Sequence, residues 1–212
     1  MTSTSLRLSR QLLLGELLRR TAHKSPNVDA YVFENKRITY RELEERSLQL
    51  AGWLQMKGIR PGDKVGIISK NNLEFVELVF GIALSGGVSV PINFRLVPEE
   101  FVYIINNSDT KILVIEEEYE EMIQSVRERL PLVEHIVVIE NSKTSQFISY
   151  NDIFQTETSF TPVEDMTDED DCMICYTSGT TGHPKGAVLS HKNLMMSAMN
   201  SVVDTKTSTG SI

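Results

Sequence analysis

Only two cysteines occur in the 212 residues, Cys172 and Cys175. Two cannot build a disulfide framework, and a lone Cys-x-x-Cys pair falls short of four zinc ligands. Residues three apart on a strand face opposite sides, so the pair reads as two structural thiols. Glycine (12) and proline (7) are few and without period, which excludes collagen-like and low-complexity chains. No apolar run reaches the roughly 20 residues of a membrane helix. The longest, Leu78 to Ile92, is broken by Gly81, Gly86, Gly87 and Pro91. Near the N-terminus, Leu12 to Leu14 are interrupted by Gln11, Gly15 and Glu16, and no small-x-small cleavage site follows. These absences set the expectation of a soluble, cytoplasmic protein with no membrane span. Positive charge is also short: 21 Lys and Arg stand against 29 Asp and Glu, a net −8. Bulk attraction to nucleic acid or anionic lipid is thereby excluded, and no nucleic-acid partner is expected. The four histidines (His23, His135, His183, His191) have no metal-ligand spacing, and neither a Gly-x-Ser-x-Gly nor a Gly-x-Gly-x-x-Gly pattern occurs.

What is present suits a folded domain. Apolar residues make up 41% and charged residues 24%, and a chain of this size buries about 70% of its unfolded surface. Charge is uneven: residues 1–24 carry five bases against Glu16, a net +4, leaving −12 for the remainder.

Residues 11–23 read as a short amphipathic helix with Leu13, Leu14, Leu17 and Leu18 on one face. Ala30–Glu34 and Arg37–Thr39 read as a small hairpin turning at Asn35-Lys36. Thr39 and Glu42 fit a capping box opening a helix to about Lys57, where Gly58 stops it. Strand-like runs at Lys64–Ser69, Val88–Ile92, Lys111–Ile115 and Ile136–Ile139 then alternate with helices at Leu73–Leu84, from Pro98, and over 118–129. This rhythm predicts an α/β fold, a mainly parallel sheet flanked by helices, with ligands at the carboxyl ends of strands. Residues 141–168 break the rhythm and read as a polar excursion. The acid runs Glu116–Glu121 and Glu164–Asp171 read as solvated surface. Cys172–Tyr176 and Gly186–Ser190 read as strands around a loop, followed by a helix His191–Val203. Met195, Met196 and Met199 recur there at helical spacing and read as a core-facing stripe, or, in a truncated chain, as an apolar face left without its partner and exposed. We take 11–203 as the domain and 204–212 as a polar tail.

The informative segment is Thr177-Ser-Gly-Thr-Thr-Gly-His-Pro-Lys185-Gly186. Its glycines let backbone N–H groups converge and a ligand approach closely. The hydroxyls of Thr177, Ser178, Thr180 and Thr181 can donate to anionic oxygens, and Lys185 adds a full positive charge. Together these suit a polyphosphate. It is not the common NTPase loop, because the lysine follows proline, precedes glycine and leads into a strand rather than a helix. The bland alternative is a Ser/Thr/Gly hairpin that binds nothing.

The stretch Tyr176 to Leu194 resembles the phosphate-binding signature of the adenylate-forming (AMP-binding) superfamily, which comprises acyl- and aryl-CoA synthetases, peptide-synthetase adenylation domains and luciferases. Ile38–Leu43 and Leu84–Asn93 resemble two further stretches of that family, in the same order. The resemblance implies an incomplete N-terminal domain of such an enzyme. It implies ATP-dependent activation of a small-molecule carboxylic acid, with an acyl-adenylate passed to CoA, and Mg2+ as the accompanying metal. It assigns Ser178, Gly179, Thr180, Thr181 and Gly182 to the β- and γ-phosphates, with Lys185 nearby and Thr177 opening the motif. Pro91 to Leu96 followed by Pro98-Glu99-Glu100 looks more like CoA synthetases than adenylation domains. The family's adenine, ribose, metal and hinge motifs and its late catalytic lysine do not occur in the sequence. The expectation is therefore an N-terminal portion, inactive or nearly so alone, with no catalytic or metal residue of its own. The rival is a non-catalytic remnant or small nucleotide-binding module.

Overall fold

The computed structural model describes residues 11–140, 142–144, 146–177 and 183–205. Helix α1 (Leu14–Lys24) precedes a hairpin of β1 (Asp29–Phe33) and β2 (Lys36–Thr39), which form a separate two-stranded antiparallel sheet. Helix α2 (Tyr40–Met56) starts on the capping box: the Glu42 N–H donates to the Thr39 hydroxyl at 3.3 Å, and the Thr39 N–H donates back to the Glu42 carboxylate at 2.8 Å.

A regular alternation follows: β3 (Lys64–Ile68), α3 (Leu73–Ser85), β4 (Val88–Pro91), α4 (Pro98–Asn107), β5 (Thr110–Glu116), α5 (Glu120–Val126) and β6 (His135–Ile139). Then come β7 (Ile148–Ser149), α6 (Tyr150–Ile153), β8 (Asp171–Thr177), β9 (Lys185–Ser190) and α7 (His191–Thr205). The main sheet has seven strands in the order β7-β6-β5-β3-β4-β8-β9, parallel throughout except for the β8–β9 pair. Strand β3 has β4 on one side and β5 on the other, so the winding direction reverses beside it.

Alternation along the central strands builds two cores. Leu113, Ile115, Ile136 and Val138 face the layer of α4 and α5, where Phe101, Ile104, Ile105 and Ile123 bury. Ile112, Val114, Val137 and Ile139 face α2, α3 and α6, with Leu50, Trp53, Leu78, Ile82 and Tyr150. Strands apolar on both faces are what a sheet covered by helices on both sides requires. The chain is thus α/β with a mainly parallel sheet flanked by helices and a small antiparallel hairpin.

Four expectations are corrected. The helix read over 118–129 is three pieces, with 3₁₀ turns at Glu117–Tyr119 and Arg127–Arg129 around α5. The Arg127 guanidinium donates to the carbonyls of Leu130 and Val133, which tightens the exit before Pro131. Second, the Glu116–Glu121 run is not all solvated surface. Glu120 is buried and accepts from Ser142 Oγ and the N–H groups of Lys143 and Thr144. Burial acts to raise its pKa, but these donors outweigh it and hold the carboxyl below its ordinary value. Third, the polar excursion contains β7 and α6, and Tyr150 and Ile153 join the core. Fourth, of the methionine stripe only Met195 is buried, while Met196 and Met199 are 43% and 51% exposed. In helix α7 the side chains from Met196 to Asp204 are all exposed, and the helix runs through Thr205, two residues into the stretch read as tail.

Candidate functional site at the carboxyl edge of the sheet

Because β4 and β8 run parallel (Ser89 opposite Met173), the chain leaves β8 on the same edge where β3, β5 and β6 end. Thr177 is the last residue of β8 and Lys185 the first of β9, and the two are paired as the final rung of the antiparallel ladder. The fold therefore brings the two ends of the polyphosphate motif together. Ser178, Gly179, Thr180, Thr181 and Gly182 lie outside the described residues. Thr177 and Lys185 are exposed, and Lys185 makes no ion pair among the described residues. An exposed ammonium with no ion pair among the described residues, beside an exposed hydroxyl, suits the oxygens of a phosphate chain.

The hairpin mouth is held from one side. Gly186, opposite Tyr176, leaves room for its ring: a Cβ at Gly186 would lie 3.1 Å from Tyr176 Cζ and 2.8 Å from Ile174 Cγ2. The Tyr176 hydroxyl donates to Asn107 Oδ1 at 2.7 Å. Burial, with Tyr103 and Asp109 nearby, pushes that phenol's pKa up and keeps the donor protonated. His183 stacks on Tyr103, with centroids 4.5 Å apart and planes 16° apart. The sequence pattern gave no warning of these α4 contacts, although Tyr103 and Asn107 are four apart and so share a helix face.

A second concavity on this edge, of about 600 Å³, lies over the ends of β3, β5 and β6. It is lined by Lys36, Lys70 and Lys143 but also by Glu34, Glu74, Glu116, Glu117, Glu118 and Glu140. Lys70 pairs with Glu118 at 2.6 Å and Lys143 with Glu117 at 2.8 Å. Glu116 is engaged by Ser69 Oγ, the Lys70 N–H and Asn72 Nδ2. Six carboxylates against three ammoniums disfavour a polyanion. Of the two places, the β8–β9 mouth fits phosphates better.

The other chemistry-bearing residues fall into structural positions. Cys172 is buried and Cys175 half-buried; burial raises both thiols, Cys172 to about 12. His191 is buried at the start of α7, and its Nδ1 accepts the Leu14 N–H at 3.2 Å. In the acid run, Asp168 accepts from the Leu12 N–H, and Asp170 from the Thr167 N–H. Among the described residues no three His, Cys, Asp or Glu come together as a metal site, and no helix is long and apolar enough to cross a membrane.

The sequence pattern of the AMP-binding enzyme family matches residues 18–210. The chain belongs to that family. Among AMP-binding relatives, it is 35% identical over 188 residues to a 3-oxocholest-4-en-26-oate–CoA ligase of Rhodococcus rhodochrous, an alignment covering 86% of this chain and 34% of that enzyme. It is 35% identical over 186 residues to 4-hydroxybutyrate–CoA ligase 2 of Metallosphaera sedula, covering 82% of this chain and 33% of that enzyme. Among solved structures, an anthranilate CoA ligase bound to anthranoyl-AMP superposes with a TM-score of 0.83 at 31% identity, over 89% of this chain and 36% of that one. The chain thus spans about a third of the length of these relatives and corresponds to their N-terminal part.

Proposed function

We propose that this chain is the triphosphate-holding portion of an AMP-forming acyl- or aryl-CoA ligase. In the whole reaction a carboxylate attacks the α-phosphorus of ATP, pyrophosphate leaves, and the acyl-adenylate is passed to the thiol of CoA. The nucleophile belongs to the substrate, so the protein's task is positioning and the stabilisation of moving negative charge. Ser178, Gly179, Thr180, Thr181 and Gly182 would surround the β- and γ-phosphates, flanked by Thr177 and Lys185. Mg2+ would supply further charge neutralisation on the phosphates. The observation that carries the reading is the pairing of Thr177 with Lys185, which has no ion pair among the described residues, at the carboxyl edge of the sheet.

On this reading the 212-residue chain binds MgATP without turning it over, because the adenine, ribose and hinge motifs do not occur in it. The reading takes a small-molecule carboxylic acid, ATP and CoA as the whole enzyme's substrates and the cytoplasm as its compartment. Titration calorimetry tests the binding. Lys185→Ala should weaken MgATP by about tenfold, the order of one charge-assisted hydrogen bond. Equal binding by the variant, or none by the parent chain, refutes the reading. ATP–pyrophosphate exchange by the chain alone at the rate of a complete ligase would refute the second part.

A further inference from the structure

Both limbs of the β8–β9 mouth are attached to one helix by side chains one turn apart. Tyr176 stands in β8 just before the chain enters the loop and donates to Asn107 at 2.7 Å. His183 stands where the chain leaves the loop towards β9 and stacks on Tyr103 at 4.5 Å. Positions 103 and 107 are i and i+4, vertically adjacent on the α4 surface. Tyr103 and Tyr176 both pack on the core beneath α4, so the anchoring face is continuous with the fixed interior. Gly186 completes the arrangement, because a side chain there would displace the Tyr176 ring.

We propose that Tyr103 and Asn107 are positioning residues for the phosphate motif: α4 clamps both ends of the loop, so that Thr177 and Lys185 are held in register before nucleotide arrives. This rests on the polyphosphate reading for its purpose, but the clamp itself stands on geometry. Among the described residues Thr177↔Lys185 is the last rung of the ladder, and an end rung is held by ladder hydrogen bonds from one side only. Order supplied in advance lowers the entropy lost on binding. The stack contributes more than the exposed amide contact, because aromatic pairs add to area burial whereas an exposed hydrogen bond competes with water.

The test has two readouts on the full chain. Hydrogen exchange across 176–186, without ligand, reads the clamp. Tyr103→Leu and His183→Ala should each speed exchange there by roughly 3- to 10-fold. The two together should be no worse than either alone, and Tyr103→Phe, which keeps the ring, should restore the parent rate. Thermal melting shows whether each variant remains folded; exchange in the central strands β3 and β5 should not move. Unchanged exchange at 176–186 in Tyr103→Leu, or acceleration that Tyr103→Phe does not rescue, overturns the clamp. MgATP titration reads its purpose. A loss of affinity in Tyr103→Leu of the same fold as the exchange change, with Tyr103→Phe normal, supports positioning. Faster exchange with undiminished affinity overturns it. No MgATP binding by the parent chain overturns the polyphosphate reading, and with it the positioning role, while the exchange result still decides the clamp.

Discussion

Removal of the Glu77 carboxylate should be among the most damaging single changes in this fold. Glu77 lies on α3, 3% exposed, between α2 and the segment that follows β7. Both its oxygens are used: Arg46 Nε donates to one, and Arg46 Nη2 and the Tyr150 hydroxyl donate to the other, each at 2.9 Å. Tyr150 is fully buried, and burial first, then Glu77, raises its pKa well above the ordinary value, so the phenol remains a donor. The Arg46 guanidinium also sits 3.7 Å above the Phe154 ring. Glu77→Ala strands the Tyr150 hydroxyl and leaves Arg46 without its counter-charge. Breaking a buried pair costs about 3–5 kcal/mol. The Arg46 side chain is 37% exposed, so water screens part of this and the lower end applies. Tyr150→Phe keeps the ion pair and loses one charge-assisted hydrogen bond, about 1.5–3 kcal/mol. Urea titration followed by circular dichroism, with m-values compared, gives both numbers. For a chain of this size about 3 kcal/mol corresponds to a drop in Tm of roughly 6–12 °C. If Glu77→Ala unfolds within 1 kcal/mol of the parent at equal m, the network is not holding α2, α3 and α6 together and the reasoning fails.

Three further outcomes are expected. Gly81→Ala should destabilise by about 1–2 kcal/mol despite alanine's better helix propensity, because a Cβ there meets Leu50 at 2.6–3.0 Å, including its own Cβ; a raised Tm would show that the contact between α2 and α3 yields easily. Burial holds the His191 imidazole below its usual pKa, against the opposing pull of Asp170 and Asp168, and its Nδ1 must be unprotonated to accept from Leu14. Its contribution is therefore complete above about pH 6.5 and is lost as pH falls through the folded value; His135 shifts the same way, so the urea midpoint between pH 7.5 and 5 should fall less steeply in His191→Gln than in the parent, and equal slopes would count against the role. With burial raising both thiols, Cys172 to about 12, the folded chain at pH 7.5 should react with a thiol reagent far more slowly than the urea-unfolded chain; equal rates would contradict the burial argument.

The parts of the fold legible in sequence are those where one local signal decides. The capping box at Thr39, the Pro98 helix start and the doubly apolar β5 and β6 each depend on neighbours a few residues away. What escaped depends on distant partners. The polarity of Glu116, Glu120 and Asp168 suggested solvent, yet each accepts backbone or side-chain donors from segments far along the chain. Residues 141–168 looked featureless because Tyr150 and Phe154 gain their meaning only from Arg46 and Glu77, over seventy residues earlier. At the candidate site, the sequence pattern named Thr177 and Lys185, which the ladder pairs, but not the α4 contacts of Tyr103 and Asn107. Nothing in α4 taken alone distinguishes a helix face that holds a loop from one that meets water.

The topology also says where the site's charge must come from. In NTPase loops and dinucleotide folds, the phosphate sits at a helix N-terminus, where the aligned peptide dipoles supply about half a positive charge. Here the two ends of the motif lie on antiparallel strands, and among the described residues the next helix after β8 is α7, which begins at His191 beyond the whole of β9. Strand pairs carry little net dipole. On the proposed reading, the positive charge that the described residues bring to the β8–β9 mouth is that of Lys185 rather than of a helix end. Lys185→Gln, which retains the stem and a donor, should lose nearly as much MgATP affinity as Lys185→Ala, and Lys185→Arg should retain most of it. Binding by the parent should also weaken more steeply with salt than binding by Lys185→Gln, because the lost contact is ionic. Equal salt slopes in the two proteins would mean that the lysine acts by shape, and the argument from topology would fall.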